Sequence, residues 1–298
     1  MGYLDRITRG KIEVPEVITI HGPDGIGKST FAASAPSPIF LGPEAGTSNL
    51  DVARFERPAS FNAADEQVEE LIKESHDFKT LVIDSVDWLE PIVQDWVCEE
   101  NGWKNIESPG YGKGYAVALK QWRTFVDKLQ VLRDDKQMNV VLIAHSVIKP
   151  FHDPQENTVY DRFVLKMHDK VSALIREFSD TVLFANFEIF TKKEDGQQKA
   201  KAFGDGERVM YTERRPAFDA KNRWGLPFKM PLSWDAYMDA RKPPQSDGEI
   251  REKIQIGLSK ITDDAVKNRI DGLLADAKDS TALLSILDRM NKYLARGE

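Results

Sequence analysis

The stretch of sequence that decides the fold is "HGPDGIGKST", residues 21–30. It contains the spacing G-x-x-x-x-G-K-S from Gly22 to Ser29, a pattern that indicates a phosphate-binding loop when a strand precedes it and a helix follows. Val17–His21 is a short apolar run rich in β-branched residues, and a helical segment begins near Lys28. We therefore predict a nucleotide-binding site at this loop rather than a structural glycine turn.

Each residue type in the loop has its own predicted role. The glycines let the backbone aim N–H groups at a β-phosphate, and the start of the helix adds its positive end. Lys28 supplies a mobile charge for the β- and γ-phosphates, and the Ser29 hydroxyl can ligate Mg²⁺. The predicted nucleotide contacts are Gly22, Pro23, Asp24, Gly25, Ile26, Gly27, Lys28, Ser29 and Thr30.

A second apolar run, "LVIDSVDWLE" at residues 81–90, reaches a carboxylate at Asp84. A carboxylate at the end of a strand can hold the water shell of magnesium, although it can also serve only as a helix cap. With a phosphate loop upstream, we predict Ser29 and Asp84 as metal ligands and ATP with Mg²⁺ as cofactors. Ser85 occupies the position where many ATPases place a water-activating glutamate, so such a group must lie elsewhere.

Two further stretches complete a recognisable order of motifs. "PIFLGPEAGT", residues 38–47, carries Glu44, and "VVLIAHS", residues 140–146, carries His145. The order resembles that of RecA-like ATPases, which have a phosphate loop, a glutamate, a strand-end aspartate and a polar sensor. The resemblance implies that Glu44 activates water and that His145, where recombinases and DnaB-type helicases usually have glutamine, senses the γ-phosphate. An ordinary surface acid and a strand-end histidine are the alternatives.

The segment "YTERRPAFDAKNRWGLP", residues 211–227, resembles the K-N-R-F-G stretch of RadA and the lysine–arginine pair of DnaB-type helicases. The resemblance implies that Lys221 and Arg223 reach the ATP site of a neighbouring subunit. The protein would then be a homo-oligomer whose ATP sites are shared between subunits. A guanidinium group suits this role because it stabilises charge on a transferring phosphoryl group. An exposed basic hairpin tip is the alternative.

Taken with "SPGYGKGYAVALKQW" at residues 108–122, these motifs look like the AAA-domain family of phage nucleotide-binding proteins. That family includes Sak-type single-strand annealing proteins with a RecA-like core. The resemblance covers roughly residues 15–235, and it implies a role in phage recombination or replication, by annealing or strand exchange.

Two segments occupy the positions that line the DNA channel of RecA-like filaments. They are "NGWKNIESPGYGKGY", residues 101–115, and "VIKPFHDPQENTVYDRFVLK", residues 147–166, both of which we expect to be loops. Aromatic side chains interleaved with cations suit base stacking and backbone neutralisation, which predicts single-stranded DNA binding. The candidate DNA-binding residues are Lys104, Tyr111, Lys113, Lys149, Phe151 and Arg162.

The order of elements predicts an α/β fold. Short apolar strands at 17–21, 39–41, 80–84, 139–144 and 181–187 alternate with helices, which is typical of a mostly parallel sheet covered on both faces. Asp195-Gly196 and Asp205-Gly206 favour an antiparallel hairpin at its edge. We expect a RecA-like P-loop core over residues 1–242, a linker over 243–248 and a small helical C-terminal segment over 249–298.

Composition narrows the classes of function. The 298 residues carry a net charge of −7, which argues against a protein that coats duplex DNA over its whole surface. The single cysteine excludes an intramolecular disulfide and a thiolate zinc cluster. With no signal-peptide pattern or membrane-length apolar run, we expect a cytoplasmic protein, in the host cell if it is phage-encoded. An ATPase acting on single-stranded DNA, a small-molecule kinase and a nucleotide-dependent assembly factor without DNA binding stay open.

Overall fold

A computed structural model of the chain describes residues 7, 14–42, 44, 46–153, 158–188, 190–192, 201–203, 206–242, 246–277 and 279–295. The chain divides into two compact units, Met1–Ala240 and Arg241–Glu298. None of the helices in the described ranges is long and apolar enough to cross a membrane.

Strands and helices alternate through most of the first unit. Its strands are β1 (Val17–Gly22), β2 (Pro38–Leu41), β3 (Ala53–Arg54), β4 (Thr80–Asp84), β5 (Asn139–Asp153), β6 (Thr158–Leu165), β7 (Thr181–Phe187), β8 (Phe190–Lys192), β9 (Lys201–Phe203), β10 (Arg208–Tyr211) and β11 (Lys229–Pro231). Its helices are α1 (Lys28–Ala33), α2 (Phe61–Lys73), α3 (Val86–Asn101), α4 (Lys113–Asp134), α5 (Asp169–Phe178) and α6 (Trp234–Arg241).

The main sheet has the strand order β11-β10-β7-β1-β5-β4-β2-β3. From β7 to β3 every neighbouring pair is parallel. Parallel strands end at the same edge of a sheet, and the register aligns Gly22 with His145 and Asp84 with Ile143. The segments that follow β1, β2 and β4 therefore leave from one edge, which β5 crosses at His145, and a site can be assembled there.

Apolar side chains cover both faces of the central strands, as a parallel sheet requires. Alternate residues of one strand enter different cores, because successive side chains point to opposite faces. Val140 and Leu142 of β5 pack in the core that contains α2, α3, α4 and α5, whereas Val141 and Ile143 pack in the core that contains α1 and α6. The prediction of an α/β fold with a mostly parallel sheet is confirmed.

The edge of the sheet beyond β7 is antiparallel. β10 pairs antiparallel with β7, and β11 pairs antiparallel with β10. β8 and β9 form a separate two-stranded antiparallel ribbon in the described part of the chain. The first predicted turn, Asp195-Gly196, and Asp205 of the second lie outside the described residues.

One prediction about local structure is wrong. The segment after His145 is a β-hairpin rather than a loop, because β5 continues to Asp153 and pairs antiparallel with β6. The residues expected in a loop, among them Val147, Ile148, Phe151 and Tyr160, are β-branched or aromatic, and such residues favour extended structure.

The second unit contains α7 (Asp247–Leu258), α8 (Asp264–Asp276) and α9 (Ser280–Ala295). Ser246 and Glu249 cap α7 reciprocally: the Ser246 hydroxyl accepts from the Glu249 backbone N–H, and the Glu249 carboxylate accepts from that of Ser246. The helices enclose a small apolar core of their own, which includes Ile250, Ile254, Leu283 and Met290. The predicted C-terminal helical segment is thus present.

The first glycine of the phosphate loop is required by the neighbouring strand. A Cβ atom on Gly22 would lie 2.2 Å from the backbone oxygen of Ala185 in β7. That oxygen belongs to a central strand, so it cannot move aside without disturbing the sheet.

Gly22→Ala should therefore lower the free energy of unfolding by about 1–3 kcal/mol or more, the usual cost of overpacking. Gly46→Ala is the control, because a Cβ there meets nothing within 4 Å. Denaturant unfolding of both variants measures the difference. Equal stability of Gly22→Ala and the unsubstituted protein would contradict the close approach.

Candidate nucleotide-binding site

The loop between β1 and α1 has the backbone form of a phosphate cradle. Gly25 and Gly27 have φ values of 70° and 109°, left-handed conformations that favour glycine. No side chain of the described residues caps the first turn of α1, so its backbone N–H groups remain for an anion. A cavity of about 460 Å³ adjoins the loop, and its lining includes Lys28, Ser29 and Glu44.

Lys28 is buried at the start of α1, with 5% of its surface exposed. Its Nζ donates to the backbone oxygens of Gly22 at 3.1 Å and Pro23 at 2.9 Å. Burial lowers the pKa of Lys28, and the carboxylates of Asp24 and Asp84 act against that shift. The amine is thus held across the loop, beside the place where the phosphates are predicted to bind.

Ser29 and Asp84 meet in the same cavity. The Ser29 hydroxyl donates to Asp84 Oδ2 at 2.6 Å. Burial raises the pKa of Asp84, while the Ser29 hydrogen bond and the Lys28 charge oppose the rise. Two converging oxygens suit Mg²⁺, which prefers oxygen ligands and fills its remaining positions with water and substrate phosphates. In the described part of the chain, no group of three or more His, Cys, Asp or Glu side chains is arranged to hold a metal ion.

Glu44 lines the cavity from the segment that follows β2. Its backbone oxygen would lie 3.3 Å from a Cβ atom on Gly42, and the backbone oxygen of Asp84 would lie 3.7 Å from the same atom. The segment therefore passes close to the end of β4. No hydrogen bond joins the Glu44 carboxylate to any residue that the structure describes, so it can accept one from water.

His145 forms a pair with Asp87, a residue in the first turn of α3. Asp87 Oδ2 lies 2.9 Å from His145 Nδ1, and Asp87 Oδ1 accepts from the His145 backbone N–H at 3.0 Å. An ionised carboxylate only accepts, so Nδ1 carries a proton. His145 Nε2 then faces the exposed Asp24, 3.4 Å away.

The Asp87–His145 pair changes the ionisation of both partners. The hydrogen bond from Asp87 raises the pKa of His145, although burial acts in the opposite direction. Burial acts to raise the pKa of Asp87, but the hydrogen bonds from His145 outweigh it and the net shift is downward. Both shifts favour an ion pair, and a protonated ring would offer an N–H at Nε2 as well.

His21, the last side chain of β1 before the loop, connects three segments. Its Nε2 lies 2.9 Å from the Asp219 backbone oxygen, and its Nδ1 lies 2.9 Å from the Ser146 hydroxyl. Burial lowers the pKa of His21 to about 4, so the ring is neutral at pH 7. A carbonyl only accepts, so Nε2 carries the proton and Nδ1 accepts from Ser146. The hairpin that begins beside His145 is thus tied to β1.

Three residues of this region were missed by the sequence analysis. Asp87 carried a signal, because it follows Asp84 by three residues and so lies on the first turn after the strand. The sequence signal for His21 was weaker: it is the polar residue that ends the apolar run 17–21. Arg208 carried none, because it reaches the cavity only through the antiparallel pairing of β10 with β7.

Lys221 and Arg223 lie at the opposite edge of the sheet, beside the start of β7. Lys221 Nζ donates to the backbone oxygen of Ser179 at 2.6 Å, and Arg223 donates to Asp180 at 2.9 Å. Lys221 also pairs through its backbone with Val182. The pair therefore does not line the cavity of its own chain, and its action on a neighbouring subunit stays a prediction.

The candidate DNA-binding residues fall into two groups. Tyr111 is fully exposed, and Lys104 and Lys113 of the same segment are exposed as well. The others lie on the β5–β6 hairpin, where register opposes Lys149 to Arg162. Tyr115 stacks on His168 with ring centroids 4.5 Å apart, which joins the first segment to the end of the hairpin.

Arg162 differs from the expectation of a loop cation open to solvent. Only 4% of its surface is exposed, because its guanidinium packs 3.8 Å over the ring of Phe151 and donates to the Tyr160 hydroxyl and the Pro216 carbonyl. The hairpin places Arg162 against Phe151 and Tyr160 of its own two strands, and the 213–219 segment supplies Pro216.

Comparison with known proteins places this geometry in context. A family model described as an AAA domain matches residues 15–224. Among solved structures, the crystal structure of the RadB recombinase is similar over 68% of this chain and 82% of that chain, with 16% sequence identity and a TM-score of 0.39. No curated protein matches the sequence.

Asp87→Asn should lower the pKa of His145 toward that of an ordinary histidine, because the amide removes the negative charge. In the unsubstituted protein the pair stabilises the fold fully below the unfolded-state pKa of histidine, about 6.5. That stability is lost as the pH rises through the raised folded-state pKa. The free energy of unfolding of Asp87→Asn should therefore fall less than that of the unsubstituted protein as the pH rises through this range.

An NMR titration of the His145 ring measures the midpoint, and denaturant unfolding against pH measures the stability. Asp135→Asn is the matched control, since this exposed carboxylate follows α4 at the opposite end of β5 and should leave the midpoint unchanged. An unchanged midpoint in Asp87→Asn would show that the pair does not set the ionisation of His145.

Proposed function

The chain belongs to the AAA-domain family, and on that premise we propose that it is a Mg²⁺-dependent ATPase that acts on single-stranded DNA. The observation that carries the ATPase proposal is the convergence of Lys28, Ser29, Glu44, Asp84 and His145 on one cavity at the carboxyl edge of the sheet. The resemblance to Sak-type annealing proteins supports a role in phage recombination or replication, by annealing or strand exchange.

The residues of the cavity divide the work of hydrolysis. The loop glycines and Lys28 bind and orient the phosphates of ATP. Ser29 and Asp84 would hold Mg²⁺, which neutralises phosphate charge when it is bound. Glu44 accepts a proton from the attacking water and keeps that water oriented, in the way a general base does.

His145 is proposed to detect the γ-phosphate. Its ring is fixed by Asp87 at Nδ1, so Nε2 is the atom left to respond to a phosphate. The next residues, from Ser146 to Asp153, form the first strand of the hairpin. A displacement of His145 is therefore passed directly to the hairpin residues proposed to bind DNA.

Single-stranded DNA binding is proposed at the exposed segment around Tyr111 and at the hairpin. Fully exposed Tyr111 can stack on a base, and the exposed Lys104 and Lys113 of the same segment can neutralise phosphates. The stacking of Tyr115 on His168 supports a continuous surface, because it joins the two segments.

A homo-oligomer with shared ATP sites is proposed from the position of the basic pair. Lys221 and Arg223 are distant from the cavity of their own chain, yet 56% of the Arg223 side chain is exposed. Arg223 would leave Asp180 to reach a phosphate on a neighbouring subunit.

ATP hydrolysis measured with and without single-stranded DNA tests the main proposal. We expect Mg²⁺-dependent turnover that DNA stimulates. Glu44→Gln should keep ATP affinity within a few-fold but lower turnover by roughly 10²-fold, the scale of losing a general base.

Two variants control this experiment. Asp84→Asn should weaken Mg²⁺-dependent ATP binding as well as turnover, and Lys28→Ala should abolish nucleotide binding or turnover while the fold stays intact. Normal hydrolysis by Glu44→Gln would place the base elsewhere. ATP binding and assembly with almost no turnover and no DNA binding would favour the assembly factor, and transfer of phosphate to a small molecule would favour the kinase.

Mixing two inactive variants tests the shared site. Arg223→Ala should bind ATP but hydrolyse it more slowly by on the order of 10³-fold, the scale of an arginine finger. Added Lys28→Ala protein should restore part of the activity, because one subunit then supplies the cradle and its neighbour the arginine. Thermal unfolding of Arg223→Ala checks that loss of the Asp180 ion pair has not unfolded the chain. Mixed oligomers that show no rescue would contradict a role across subunits.

A further inference from the structure

A second polar cavity lies between the hairpin, α5 and the 213–219 segment. It has a volume of about 430 Å³, and a neighbouring cavity of about 460 Å³ shares Phe151, Arg162 and Arg214 with it. We name the two together the arginine pocket and define it by Phe151, Tyr160, Arg162, Arg176, Arg214 and Asp219.

The cations of the arginine pocket are organised around one carboxylate. Asp219 lies 2.8 Å from Arg176, 3.6 Å from Arg162 and 3.7 Å from Arg214. Only 9% of the Asp219 side chain is exposed. Lys149 lines the cavity of about 430 Å³ as well, and it is paired with Asp169 at 2.6 Å. Arg215 and Asp153 line the neighbouring cavity, so the two cavities together are lined by five cations and three carboxylates and keep an excess of positive charge.

The three arginines differ in their exposure, which gives the pocket a floor and a rim. Arg162 is buried, so it forms the floor, and its partners hold it in one position. The Arg176 and Arg214 side chains are 39% and 58% exposed. Asp219 contacts one guanidinium nitrogen of each, so the other N–H groups of the same guanidiniums can donate to an incoming anion.

Aromatic rings form one wall of the arginine pocket. Phe151 and Tyr160 oppose each other on the hairpin, with ring centroids 5.5 Å apart. Arg214 lies 5.7 Å from the centre of the Phe151 ring. One guanidinium group can donate two parallel hydrogen bonds to a phosphate. Aromatic rings and guanidinium planes also provide a surface on which a base can stack. An acidic protein segment would use the cations but would not need the rings.

We propose that the arginine pocket binds a phosphate of a single-stranded nucleic-acid backbone, with Arg176 and Arg214 as the contacting residues and Arg162 as the floor. This inference rests on the proposed action on single-stranded DNA and assigns that ligand a site outside the exposed segment around Tyr111. Arg176 and Arg214 come from α5 and from the 213–219 segment, so the site extends beyond the two segments that the sequence indicated.

Binding of a labelled oligothymidylate at several salt concentrations tests the proposal. Arg214→Ala and Arg176→Ala should each reduce the magnitude of the log–log salt slope by about 0.7, the value for one phosphate on a single strand. At 0.1 M salt the affinity should fall about fivefold, since that slope corresponds to a factor of 10 to the power 0.7 per decade of salt. Arg214→Lys should retain most of the slope.

Arg123→Ala is the matched control, because it also removes one exposed arginine, but from α4 and outside the arginine pocket. Thermal unfolding confirms that each variant is folded. If the unsubstituted protein binds the oligonucleotide and the pocket variants match Arg123→Ala in slope and affinity, the pocket is not the site, while DNA binding itself stands.

Failure of the proposed function gives a different result. A chain that hydrolyses ATP but binds no oligothymidylate at low salt would overturn both DNA binding and the pocket's assignment. Polyglutamate is the second probe: if it binds in an Arg214-dependent manner and the oligonucleotide does not, the pocket serves an acidic protein segment and the proposal is wrong.

Discussion

The structure depends on the parallel alignment of β1, β5, β4 and β2, which brings the carboxyl ends of β1, β4 and β2 and the residue His145 of β5 to one edge of the sheet. Each strand contributes one element of the site at that edge: the phosphate loop after β1, Glu44 after β2, Asp84 at the end of β4 and His145 within β5. These residues are far apart in sequence, and none of them makes a nucleotide site alone. Their convergence follows from backbone pairing, and the buried residues on both faces of the sheet maintain that pairing.

The sequence was most informative where chemistry depends on local spacing. The phosphate loop and the apolar strands could both be predicted from short patterns, because glycine spacing and runs of β-branched residues are local features of the sequence. The hairpin after His145 was read as a loop, since its prolines and charges obscured the alternation of β-branched and aromatic residues. Arg208 could not be found at all, because antiparallel pairing with a distant strand decides its position.

The charges around the nucleotide cavity explain how its buried ionised groups are stabilised without a ligand and can still bind one. Lys28 is held by two backbone oxygens of its own loop, and the nearby carboxylates of Asp24, Glu44 and Asp84 compensate for its burial. Asp84 in turn is hydrogen-bonded by Ser29 and attracted by Lys28. Acids and bases are thus arranged so that each offsets the desolvation of another, and a bound anion or cation would replace existing interactions rather than fill a site of one sign.

The position of His21 has a mechanical consequence. Its ring is buried and neutral, and its two nitrogens hold the carbonyl of Asp219 and the hydroxyl of Ser146 at the same distance, 2.9 Å. The His21 side chain is fully buried, so sliding the hairpin or the 213–219 segment past β1 would leave a buried ring nitrogen without its partner. The three segments therefore resist shear against one another. A displacement of the phosphate loop would therefore move β1, the hairpin and the 213–219 segment together as one rigid group.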